Sequence, residues 1–72
     1  MKRIDAYLSR KAAAVWPGAI VEDWDRVFLL QRPGLPAVEL SGEPLPLDKR
    51  FRAAREALGQ LIEHERAKAK GG

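Results

Sequence analysis

Only 22 side chains in this chain of 72 are apolar and larger than alanine, and that shortage constrains the fold more than any motif does. A polypeptide of this size hides about 60% of the surface that its unfolded form exposes. It can build one layer of packing, not a deep enclosed cavity, and a partner or second copy would add materially to so thin a core. Eleven further apolar residues are alanines, which favour helix but fill little space. Cysteine is absent, so neither disulfides nor thiolate metal sites can staple the fold.

The large apolar residues are grouped into elements. Ile4, Tyr7, Leu8 and Val15 recur at helical spacing around three alanines at 12 to 14, which predicts an amphipathic helix over residues 3 to 15, ended by Pro17-Gly18. Lys11 falls inside that stripe, where its stem would cover apolar surface and its head reach water at the helix end. Ala19-Ile20-Val21-Glu22 and Val27-Phe28-Leu29-Leu30-Gln31 favour strand on either side of an acidic turn, Asp23-Trp24-Asp25. After Pro33-Gly34, Ala37-Val38-Glu39-Leu40 reads as a third, edge-like strand. One long strand through residues 19 to 32 is the alternative.

Residues 41 to 46 read as an extended connector, and Asp48 as the N-cap of a second helix with the stripe Phe51, Ala54, Leu58, Leu61 and Ile62. Gly59 interrupts that helix, which suggests either a close backbone approach to the first helix or a tolerated surface glycine. Residues 67 to 72 are expected to fray. The expectation is one α+β domain over residues 1 to 72: helix, three-stranded antiparallel meander, helix, with both helices packed on one face of the sheet.

Groups for chemistry are scarce. The single histidine, His64, lies off the apolar stripe between Glu63 and Glu65, as a solvated side chain would. Ser9 and Ser41 have no histidine beside them and no nucleophile elbow. Glu22, Asp23 and Asp25 crowd together, but Arg26, Val27 and Phe28 follow where a calcium loop needs glycine and further oxygen ligands. No glycine-rich phosphate loop is present. No catalytic residue, metal or cofactor is expected. No apolar run of signal-peptide or membrane-span length occurs, so a cytoplasmic protein without membrane contact is expected.

Binding is better represented. The net charge of +3 conceals segregation: residues 1 to 14 carry +3, residues 15 to 48 carry −4, and residues 49 to 72 carry +4. Such a bipolar surface can steer association with partners of either sign. In the second strand Val27 and Leu29 alternate with Phe28 and Leu30, so both faces are apolar while two helices can cover only one. The uncovered face would serve a complex or a homodimer, unless Trp24, Leu35 or Leu45 folds back over it. This gives a candidate partner-binding set of Trp24, Phe28 and Leu30 as apolar anchor, with Asp23, Asp25 and Arg26 as orienting charge. The alternative is nucleic-acid binding through Lys49, Arg50, Arg52 and Arg55 at the start of the second helix, assisted by Lys2 and Arg3. Arg52 could instead pair with Glu56 one turn on.

Helix, three-strand meander and helix, with the alanine-rich segment Ala53-Ala54-Arg55-Glu56-Ala57-Leu58, resembles the double-stranded RNA-binding domain family. The resemblance implies a phosphate contact at Arg50. That family's preceding lysine pair would fall on Pro46 and Leu47, and its Gly-Pro-x-His loop has no counterpart here. In size and mosaic of charge the chain also resembles small phage or mobile-element accessory proteins, anti-CRISPR proteins among them, which implies a non-catalytic inhibitor that binds another protein or protein complex.

Overall fold

Asp5 divides the first amphipathic stretch into two elements. Its backbone is extended (φ −86°, ψ 112°) and its side chain accepts a hydrogen bond from the Leu8 N–H at 2.8 Å, which is how a helix N-cap works. The computed structural model describes residues 2–24, 27–41 and 46–70. In it helix α1 is Ala6–Ala13, and the residues before the cap form a strand, β1 (Lys2–Ile4). The expected helix over residues 3 to 15 is therefore shorter at both ends. Ile4, placed in the helical stripe by its spacing, instead pairs opposite Glu22.

The expected meander follows as β2 (Ile20–Trp24), β3 (Val27–Gln31) and β4 (Val38–Ser41). With β1 it makes a four-stranded antiparallel sheet in the order β1-β2-β3-β4. Asp23 and Trp24, expected in a turn, belong to β2 and pair with Phe28 and Val27. The ladder runs to Trp24 because Lys2 and Arg3 pair with Trp24 and Asp23 from the other side. Asp25 and Arg26 lie outside the described residues, as does Leu45. A bulge between Phe28 and Leu29 skips Leu40, so that Leu40 and Ser41 are buried in succession.

Helix α2 (Leu47–Lys70) starts one residue before the expected cap. The Arg50 N–H already bonds to the Pro46 carbonyl at 2.9 Å, which puts Asp48 in the first turn, where its charge suits the helix dipole. At its other end α2 continues to Lys70, across residues expected to fray.

Both helices pack on one face of the sheet. Leu8 and Ala12 from α1 and Ala54 and Leu58 from α2 meet Val21, Phe28 and Leu30 in a single core. Phe51 bridges the layers, its ring 6.1 Å from both Tyr7 on α1 and Phe28 on β3. Past the end of β1, α1 finishes the hydrogen bonding of β2. The Asp5 N–H donates to the Val21 carbonyl at 2.8 Å, and the Val21 N–H donates to Ser9 Oγ, also at 2.8 Å. No helix among the described residues is long and apolar enough to cross a membrane.

Candidate functional site

The pleat decides which of the expected partner-binding residues are available. Phe28 and Leu30 point to the helices and are 1% and 0% exposed, so they hold the fold together and cannot anchor a partner. The same alternation sends Ile20, Glu22 and Trp24 of β2 and Val27 and Leu29 of β3 to the other face, which neither helix covers. Ile4 joins them from β1, opposite Glu22. Trp24 is 44% and Ile4 63% exposed, while Ile20, Val27 and Leu29 are half-buried. Leu35 is exposed in the β3–β4 connection. Of the expected set, Trp24 alone is seen in a position to serve; Val27 and Leu29, read as one of two apolar faces, had been left out of it, and Ile4 was missed.

At the centre of this face sits a carboxylate. Glu22 is 4% exposed, and its Oε1 accepts from the Trp24 indole N–H at 3.3 Å and from the Gln31 side-chain amide. The Trp24 ring is thus tied by its polar edge, with part of its apolar surface open to water. Glu39, exposed on β4, pairs opposite Leu29. Asp23 faces the helices instead, its Oδ1 3.8 Å from Arg50 Nη2. Because Glu22 and Asp23 point to opposite faces, they cannot share a cation, and no cluster of metal-ligating side chains occurs among the described residues.

The expected nucleic-acid residues also separate. Arg50 is 9% exposed, with its guanidinium 5.9 Å from the centre of the Phe28 ring. It lies on the core-facing side of α2 against Asp23, so it cannot take the phosphate contact that the RNA-binding resemblance implied. Lys49, Arg52, Arg55 and Arg3 are exposed. Arg3 stands opposite Asp23 on β1, and Lys2 lies at the outer end of that strand. No ion pair joins Arg52 to Glu56.

Two of the concavities among the described residues gather three or more charged side chains. A cleft of about 550 Å³ at the start of α2 carries Asp5, Asp23 and Asp48 beside Arg52 and Arg55, over Phe28 and Phe51. Asp5 is committed to its capping bond and Asp23 to the approach of Arg50, and no serine or histidine lines the cleft. A groove of about 330 Å³ between α1 and α2 carries Lys11, Arg55 and Arg66 around Gly59. A Cβ placed on Gly59 would meet nothing within 4 Å, so this glycine marks open surface and not a close helix contact.

Ser9 is spent on β2, His64 is exposed on α2, and Ser41 is buried beside the β4 bulge. Comparisons with protein-family models, with curated proteins and with solved structures find no match to this chain.

Proposed function

We propose that this chain is a non-catalytic protein-binding module, a small adaptor or inhibitor of the cytoplasm, which docks another protein on the helix-free face of its sheet. The observation that carries this reading is the exposure of Trp24 and Ile4 on the same face as Val27 and Leu29. Small monomers rarely leave a large contiguous apolar patch in water, and tryptophan is enriched among the residues that anchor interfaces. A partner that fits presents an apolar surface with a basic group able to approach Glu39. Blocking a host factor, as small phage accessory proteins such as anti-CRISPRs do, suits a chain with so much of its surface open to contact.

The test compares wild type with Ile4→Asp and Trp24→Ala for capture of a partner from the native host, followed by light scattering on the purified mixture. Both variants are expected to retain the wild-type circular dichroism. Trp24→Ala should lose about 2 kcal/mol of affinity, the scale of a central anchor, and Ile4→Asp should abolish the complex. Undiminished binding by both variants would refute the proposal. Self-association that disappears in both would make the partner a second copy of the chain.

A further inference from the structure

The groove between the helices lies on the opposite side of the molecule from the apolar face, and its chemistry is different. Lys11, in the last turn of α1, and Arg55 and Arg66 of α2 converge on it from two elements. None of the three makes an ion pair among the described residues, and Glu63 is the single acid in the lining. An anion in the groove meets three cations against one acid, which is a net attraction. Gly59 keeps the floor open, so an approaching group meets no side chain there.

The length of the stripe and its neighbour say which anion. Arg55 and Arg66 are eleven positions apart, about 16 Å along a helix at 1.5 Å per residue, which matches a run of several phosphates better than one small ion. Tyr7 stands one turn before Lys11, outside the groove lining and partly exposed, with the Lys11 ammonium 5.2 Å from the centre of its ring. When Lys11 moves to a phosphate, that ring offers a surface on which a base can stack. A membrane is a poorer fit, because Ile4, Trp24, Leu35 and Leu47, exposed large apolar side chains that could insert, do not line the groove.

We infer that the α1–α2 groove binds a single-stranded nucleic acid, with Lys11, Arg55 and Arg66 on its phosphates and Tyr7 against a base. The inference stands apart from the protein-binding reading and shares none of its residues.

The experiment is fluorescence anisotropy of a labelled mixed-sequence single-stranded DNA oligonucleotide and its RNA counterpart, titrated with the full chain from about 20 to about 200 mM salt. Three phosphate contacts predict that log K falls with log salt at a slope of about −2. Arg55→Gln and Arg66→Gln should each weaken binding and flatten the slope by about 0.7, and Lys11→Gln with both should remove binding. Circular dichroism and melting temperature of each variant report that the fold is kept. Tyr7→Leu should weaken binding without changing the slope. Leu29→Asp, on the far face, should bind as wild type does, so failure of one reading leaves the other standing. Absence of binding at the lowest salt overturns the inference. So does an unchanged slope in the Arg55 and Arg66 variants, or binding confined to anionic phosphatidylserine vesicles.

Discussion

Ser9 shows how one hydroxyl can stand in for a missing strand. β1 ends at Ile4, so Val21 has no strand neighbour on that side, yet it is fully buried. A buried backbone donor without an acceptor costs about 1–3 kcal/mol. Ser9 Oγ accepts the Val21 N–H at 2.8 Å and lies 3.3 Å from its carbonyl, to which it donates. In the sequence Ser9 was legible as a polar residue on a short helix. Its task was not, because that depends on which strand α1 packs against. Ser9→Ala should therefore lower the unfolding free energy by about 1–3 kcal/mol in urea denaturation at an unchanged m-value. A midpoint equal to that of wild type would mean that water supplies the missing acceptor.

At the scale of elements, the long helix and the central strands were legible because each carries its own period. Phe51, Ala54 and Leu58 repeat at helical spacing, and Val27 to Leu30 form a strand whose two faces are both apolar. β1 was not legible. Lys2-Arg3-Ile4 has no alternation of its own, and Ile4 happens to fall in phase with Tyr7 and Leu8. It becomes a strand only through its ladder with Glu22, Asp23 and Trp24. The capping residue Asp5 was the available signal, since an aspartate before an alanine-rich run is a helix start. The apolar face was foreseen, but the choice of its members depended on which side the helices took, which periodicity alone cannot tell. That choice predicts opposite fates for neighbours in β3. Phe28→Asp buries an unpaired charge in the core and should abolish cooperative unfolding. Leu29→Asp, half-buried on the face that no helix covers and opposite Glu22 and Glu39, should lower the melting temperature but leave a folded chain with a cooperative transition. Equal loss of structure in both variants would mean that the second face is part of the folding core.

Over the whole molecule, the charge segregation of the sequence becomes a difference between layers. The basic ends of the chain supply the groove cations Lys11, Arg55 and Arg66, and the acidic middle supplies Glu22 and Glu39 on the open sheet face. The shape follows from α2, whose 24 residues span about 36 Å at 1.5 Å per residue and set the 39 Å long axis of a body 19 Å across. Its last residues packed on the core are Leu61 and Ile62, so the final turns overhang the sheet. Stability should be concentrated accordingly. A domain of this length is stable by about 4–11 kcal/mol at 0.05–0.15 kcal/mol per residue. Leu58→Ala, which empties a fully buried site, should cost about 2–5 kcal/mol. Ending the chain after Arg66 removes the exposed Ala67, Lys68 and Ala69 with the three residues that follow them, and should cost no more than about 0.5 kcal/mol. In thermal melts this separates a shift of only a few degrees for the truncation from a loss of about eight degrees or more for Leu58→Ala. If the truncated chain melts as early as Leu58→Ala, the overhanging turns are part of what holds the domain together.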